Sequence, residues 1–298
     1  TEALAPLPEA ALALDALARF YRNPCRAFFN ERFGVRFAEP GEVGQDCEPF
    51  ALDALQAHAI KGELVQAALR ATDSSAAEHS LLARGELPLG QAGLQLLRDA
   101  RDKVQGLVVR IEPWSCIAPH SVEVELTIGT RALRGTIGGL RDRHLRAFTV
   151  SAEARGHTLM EFWIRHLCAC AGGVLDGEST LDDSKRTHTL ARIDPDTART
   201  HLAKLITLHD DGMRRPLPLF AKSGFAWAKS MQDKGDEQQA LKAARVAFTG
   251  YKDIPGEGGD RYIARAYPDA VSALDGEFAQ LVRLVYMPLA EALAEDAR

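Results

Sequence analysis

The feature that most constrains this chain is a run over residues 121–173 whose apolar period switches from two to about 3.6. Val122, Val124, Leu126 and Ile128 alternate with Ser121, Glu123, Glu125 and Thr127, which puts the apolar side chains on one face of a half-buried strand. Gly129-Thr130 supplies a tight turn. A second strand is expected over residues 131–138, a loop over 139–144 and a third strand over 145–153. Leu159, Phe162, Trp163, His166, Leu167 and Cys170 then share one stripe of a helix over residues 157–171. Gly172-Gly173 ends that helix, because glycine takes the left-handed position without a Cβ penalty.

Helical patterns flank this core on both sides. Residues 10–33 read as two helices broken at Asn23-Pro24, where Asn caps and Pro fits the first turn of the second helix. An acidic loop over 38–49 precedes a helical stretch over 51–71, with a joint expected at Gly62. Asp73 caps a further helix that closes at Gly85, and another covers 91–110, ending near Gly106. Beyond the core, 174–184 reads as a polar loop and 185–193 as extended chain. Asp194-Pro195 opens a helix to about Asp211, and the prolines around Leu217 hold 216–220 extended. Helices over 223–231 and 237–248, a glycine-rich loop over 250–259 and a closing helix over 275–296 complete the chain. The expectation is a single domain over 1–298, mixed α/β, with its core at about 115–173 and helical surrounds at 10–110 and 194–296.

The net charge of −5 excludes a chain that binds nucleic acid through bulk charge, so any such role falls to a local patch. No apolar run approaches the roughly 18 residues that span a bilayer. Residues 1–8 lack the basic start and apolar core of a leader, and the first residue is Thr, so the chain is expected to be a segment of something longer. The five cysteines, Cys25, Cys47, Cys116, Cys168 and Cys170, are odd in number and scattered, which fits a reducing cytoplasm. Cys168 and Cys170 point about 200° apart on a helix and do not chelate one ion.

Three chemistries compete for the core. A Mg²⁺ site needs converging carboxylates. The core offers Glu123, Glu125, Asp142 and Glu153, none paired in a ligating pattern. Nucleophilic catalysis lacks a Gly-x-Ser-x-Gly elbow, and His166 on the apolar stripe reads as a core histidine. Gly135-Thr136-Ile137-Gly138-Gly139 precedes no helix, and 256–260 carries two acids, so neither is a phosphate loop. What remains is charge. Arg131, Arg134, Arg141, Arg143, Arg146 and Arg155 face only Asp142 and Glu153 within their stretch, a local balance of +4. The first five are candidates for phosphate-backbone contact, centred on the loop over 139–146. Arg214, Arg215 and Lys222 form a smaller basic group around Phe220 and Trp227, and these five are candidates for a partner surface.

Four blocks carry a family likeness: Phe20-Tyr21-Arg22-Asn23-Pro24-Cys25-Arg26-Ala27-Phe28-Phe29, Glu48-Pro49-Phe50-Ala51-Leu52-Asp53, Trp163-Ile164-Arg165-His166-Leu167, and Arg215-Pro216-Leu217-Pro218-Leu219-Phe220-Ala221-Lys222-Ser223-Gly224-Phe225-Ala226-Trp227. They resemble the C-terminal region of the RecC family, the gamma subunits of exodeoxyribonuclease V, the RecBCD-type helicase-nucleases. The resemblance implies the restriction-endonuclease-like fold of the PD-(D/E)XK nucleases. Active members carry Gly-x-x-Asp on the second strand and Asp-x-Lys on the third. Here Gly138 stands at the first acid's place, Ser151 at the second and Glu153 at the lysine's. The resemblance therefore implies a non-catalytic module without metal or cofactor. It would bind RecB and RecD and help split and guide duplex and forked DNA in double-strand-break repair, in the cytoplasm and away from membranes. The rival expectations are a pure protein-interaction domain, and a degenerate Mg²⁺ nuclease using Glu123, Glu125 and Glu153.

Overall fold

The computed structural model describes residues 3–6, 11–37, 53–70, 74–252 and 254–297. The acidic loop at 38–49, Cys47, the block over 48–52 and the cap at Asp73 lie outside the described residues.

The chain enters through β1 (Leu12–Ala13), α1 (Leu14–Arg22) and α2 (Pro24–Phe33). The break between the helices is the expected one: the Asn23 side chain accepts the Arg26 N–H at 2.9 Å, and Pro24 begins α2. Next come α3 (Ala54–Leu69), α4 (Ser74–Ala83) and α5 (Gln91–Ser115). Asp53 and Gln56 form a reciprocal capping box that starts α3, and the helix runs unbroken through Gly62. Likewise α5 continues past Gly106, whose carbonyl accepts from Arg110.

The central unit begins with β2 (His120–Ile128), β3 (Arg131–Arg141) and β4 (His144–Phe148). β2 alternates as expected, with Val124, Leu126 and Ile128 buried and Glu123, Glu125 and Thr127 exposed. The loop expected over 139–144 is instead a tight hairpin. β3 runs on to Arg141, and Asp142 and Arg143 both take positive φ, 45° and 58°, which a two-residue turn between twisted strands requires. The third strand also ends earlier than expected, at Phe148, and its ladder with β3 holds only Leu140↔Leu145 and Arg141↔His144. The reason lies at the other end of β3. β1 pairs in parallel at Leu133 and Arg134 while β2 covers the opposite side of those residues. So β1 takes the edge that β4 would need, and the two strands fork around the start of α1.

α6 (Gly156–Ala171) follows, buried on nearly all sides, and Gly173 takes the left-handed position after it. β5 (Ser179–Asp182) then pairs parallel to β4, although its residues read as polar loop. β6 (Arg186–Leu190) returns antiparallel. The last third holds α7 (Pro195–Gly212), α8 (Ala221–Lys234), α9 (Glu237–Thr249), the short pair β7 (Gly250–Tyr251) and β8 (Ile254–Pro255), a 3₁₀ turn at Glu257–Gly259, α10 (Arg261–Ala266), α11 (Ala270–Ala273) and α12 (Gly276–Ala292). The closing helix stops short of its expected end, because residues from Leu293 onward form β9 (Leu293–Ala297) along the outer edge of β6.

The result is α/β: one mixed sheet, β2-β3-β4-β5-β6-β9, with β1 sharing an edge of β3. One large apolar cluster joins the sheet to α1, α6, α7, α8 and α12 through residues such as Phe20, Leu133, Ile137, Trp163, Leu205, Trp227 and Tyr286. A second joins α3, α4 and α5 through Ile60, Leu81, Leu97, Val104, Leu107 and Ile111, and reaches the sheet at Phe148 and Val150. Among the described residues no helix is long and apolar enough to cross a membrane.

The fork makes a local prediction. A Cβ at Gly135 would lie 2.5 Å from the Leu14 Cβ, whereas one at Gly138 meets only the Ser121 hydroxyl at 3.4 Å. Gly135→Val should lower stability by about 1–3 kcal/mol through overpacking. Gly138→Val should cost clearly less, and urea denaturation of both variants compares them.

Candidate functional site

The three positions that the family resemblance would align with a nuclease's ion site are Gly138, Ser151 and Glu153. Gly138 is on the exposed side of β3. Ser151 is in the loop beyond β4, its carbonyl accepting the Ser184 N–H. Glu153 accepts from the Lys185 ammonium at 2.8 Å, with Arg186 at 3.9 Å. That lysine holds the Glu153 carboxyl below the usual range. Glu125 is bound by Arg134 at 2.9 Å, and Glu123 stands opposite Thr136 on the exposed face. Among the described residues no three His, Cys, Asp or Glu side chains are grouped to hold a metal ion.

Sequence reasoning missed the acid that organises this corner. Asp183 is wholly buried. It accepts N–H bonds from Ala154 at 2.8 Å, Lys185 at 2.7 Å and Arg186 at 2.8 Å, and His188 Nε2 lies 2.9 Å away. Burial alone would raise its pKa; the bonds from His188 and the three backbone groups outweigh that and bring it down to about 2. The neighbouring Asp182, also buried, has its pKa raised by desolvation and accepts the Thr187 hydroxyl at 2.6 Å. Arg110 of α5 clasps the same turn, donating to the carbonyls of Asp183, Ser184 and Lys185 at 3.3, 3.1 and 2.7 Å.

The arginine-rich stretch is not the free basic loop that its composition suggests. Arg131 pairs with Asp210 at 3.4 Å and is only 14% exposed. Arg134 binds Glu125, and Arg143 binds Asp176 and the Gly173 carbonyl, the latter at 2.9 Å. Arg146 donates to Thr180 at 2.9 Å, with Glu178 at 3.8 Å. Arg141 turns inward. It is buried, stacks on the Trp114 ring at 4.8 Å and donates to the carbonyls of Trp114 and Ile117. The partners Asp176, Glu178 and Asp210 come from outside the stretch, which is why a charge count confined to residues 131–155 overstates its free charge.

The expected exposed aromatics are likewise core residues. Phe220 is 1% exposed among Phe248, Tyr267 and Phe278, and Trp227 is fully buried with Arg283 over its ring at 5.2 Å. The extended segment threads the core, with Leu217 and Leu219 also buried. Arg215 is tied to Glu277 at 2.6 Å and Asp211 at 2.9 Å, bonds that raise its pKa. Arg214 is exposed and donates to the Leu4 carbonyl at 3.1 Å. Lys222 is exposed at the start of α8.

Lys222 leads to a cleft of about 690 Å³ that sequence reasoning did not see. Arg19 and Arg22 of α1, Arg26 and Asn30 of α2, Arg36, His157 at the start of α6, Lys222, and the acids Glu31, Glu257 and Asp260 line it. Two acids are already engaged. Asp260 pairs with Arg26 at 3.3 Å and caps α10, while Glu257 accepts the N–H groups of Lys222 and Ser223 and the Ser223 hydroxyl at 2.8–3.0 Å. Among the described residues no carboxylate lies within 4.0 Å of the charged groups of Arg19, Arg22, Arg36 or Lys222. Burial, then the charges of Arg22, Arg155 and Lys222, bring the His157 pKa down to about 4. The only sequence signal is the recurrence of Arg19, Arg22 and Arg26 across the Asn23-Pro24 break; the opposite wall comes from two hundred residues away.

A family model described as the RecC C-terminal domain matches residues 9–232. The RecBCD enzyme subunit RecC of Escherichia coli (strain K12) is 30% identical over 288 residues, covering 90% of this chain and 25% of that protein. The RecBCD enzyme subunit RecC of Mycolicibacterium smegmatis is 28% identical over 244 residues, covering 78% of this chain and 22% of that protein. That of Buchnera aphidicola subsp. Schizaphis graminum is 22% identical over 264 residues, covering 85% and 24%. The chain thus spans about a quarter of the length of the curated relatives it matches.

Two outcomes follow from the buried groups. Asp183 has a folded pKa of about 2, below the ordinary carboxylate value, so its contribution is full above about pH 4 and is lost as pH falls toward 2. Asp183→Asn should remove about 2–3 kcal/mol at pH 7 and flatten the loss of stability between pH 4 and 2, read by urea titration across pH. Arg141→Ala should cost about 1.5–3 kcal/mol by leaving buried carbonyls unpaired, read as a lowered Tm.

Proposed function

Given that this chain belongs to the RecC C-terminal domain family, we propose that it is a non-catalytic, nuclease-derived module that seats RecB- and RecD-type subunits and helps separate and guide DNA strands in double-strand-break repair. The observation that carries this is the state of the ion positions. The order strand, strand, strand, helix, strand runs through β2, β3, β4, α6 and β5, and it supports a PD-(D/E)XK ancestry for the core. Gly138 falls on the second of these strands and Ser151 three residues past the end of the third. There is room for a side chain at Gly138, yet none is present. Glu153, in the lysine's place, is bound to Lys185. Neutral groups at both acid positions leave no charge to hold Mg²⁺, which is bound through carboxylate oxygens.

The nuclease alternative loses support at the same residues. Of its three acids, Glu125 is neutralised by Arg134 and Glu153 by Lys185. For backbone contact, the exposed members of the arginine set are Arg134 and Arg143, whose carboxylate partners are themselves solvent-exposed and exchangeable for phosphate. For partner contact, Arg214 and Lys222 are the exposed candidates left once Phe220 and Trp227 are assigned to the core. The solvent for these roles is the cytoplasm of a cell that repairs its own DNA.

The test is direct. The purified chain, incubated with linear duplex DNA and Mg²⁺, should leave the duplex intact, as should the chain with Glu123 and Glu153 changed to Gln. Mg²⁺-dependent nicking that disappears in the Gln variant would establish the nuclease alternative instead.

A further inference from the structure

We propose that the cleft between α1, α2 and the starts of α6 and α8 is a phosphate-ester site, whose ligand is the backbone of a single nucleic-acid strand. The inference rests on the reading that this domain handles DNA, and it moves the point of contact away from the β3–β4 hairpin.

Four observations carry it. The cleft, about 690 Å³, falls in the size range of small-ligand sites. Its lining carries a positive excess: Arg19, Arg22, Arg26, Arg36 and Lys222 stand against Glu31, Glu257 and Asp260, with Asp260 paired to Arg26 and Glu257 held by the N–H groups of Lys222 and Ser223. Cations in excess over carboxylates repel one another, and a bound anion relieves that repulsion. The low pKa of His157, set in part by Arg22 from α1, Lys222 from α8 and Arg155 beside it, reports the same positive field. Second, Asn30 adds to the lining a side-chain amide, a neutral group whose NH2 can donate to a phosphate oxygen. Third, the cleft is built by close approach rather than left over: Gly156 admits the Ala221 carbonyl where any Cβ would collide, bringing the starts of α6 and α8 together. Fourth, the lining holds no Phe, Tyr or Trp, so nothing there stacks a base. A ligand held by phosphates and indifferent to its bases is what a strand-guiding surface needs. The two most distinctive family-like blocks, containing Arg22-Asn23-Pro24-Cys25-Arg26 and Lys222-Ser223, meet across this cleft.

The experiment measures fluorescence anisotropy of a labelled oligo(dT) with the 298-residue chain at several salt concentrations. The comparison set is wild type, Arg19→Ala/Arg22→Ala, Lys222→Ala, and Arg134→Ala/Arg143→Ala, each checked for an unchanged Tm. The two cleft variants should bind about tenfold or more weakly, with the salt slope shallower by about 0.7 for each phosphate that is no longer neutralised. The hairpin variant should change little. In parallel, the His157 ring is titrated by NMR alone, with pyrophosphate and with oligo(dT). A bound phosphate should raise its pKa from about 4. A rise with both ligands, or with oligo(dT) alone, supports the strand. A rise with pyrophosphate alone supports the phosphate site and assigns it to a free phosphate ester. Strand binding that the cleft variants leave untouched overturns this inference while the DNA-handling reading stands. If no DNA binds and His157 does not move, both fail.

Discussion

A single buried carboxylate, Asp183, holds together the corner of the molecule where β4, β5 and β6 meet. It joins the loop that leaves β4, through Ala154, to the turn between β5 and β6, through Lys185, Arg186 and His188. Burying an ionised group is costly unless it is fully bonded, and this one is. With the turn rigid, its outward carbonyls become a seat for Arg110, so the α3–α5 unit docks on the same few residues. Lys185, carried on that turn, is brought to Glu153. The Lys185–Glu153 pair thus follows from a hydrogen-bond network one layer beneath it.

Local pattern carries a good part of the fold. The alternation of β2, the Asn23-Pro24 and Asp194-Pro195 helix starts and the glycines after α6 are each decided by a few adjacent residues, and each is found where expected. What escapes depends on distant partners. β5 has one apolar residue, Leu181. Its polar residues are buried because Ser179 meets His166 at 2.8 Å and Thr180 meets Arg146 at 2.9 Å. The Asp142-Arg143 turn lacks the usual glycine, so nothing marks it as tight. The short third strand is invisible in sequence because its competitor, β1, lies more than a hundred residues earlier.

The candidate site shows the same division. An arginine's charge is legible in sequence, but its availability is not. Arg141, Arg131 and Arg146 are spoken for by carbonyls, Asp210 and Thr180, while Arg19, Arg22 and Arg36 have no carboxylate within 4.0 Å among the described residues. The first three stand in the conspicuous cluster and the last three do not. Aromatic residues divide in the same way: Phe220 follows a proline-rich extended segment and Trp227 lies on α8, and both are buried in the large apolar cluster.

The outermost strand has a bearing on how the molecule is made. β9 pairs along β6 from Leu190↔Leu293 to Arg186↔Ala297, joining segments far apart in the chain. During synthesis β6 emerges long before its neighbour, so its backbone N–H and C=O groups remain an unprotected margin on the nascent chain. Such a margin invites pairing with other extended chains. The outer edge of β6 is therefore covered only after α12 and β9 have been synthesised.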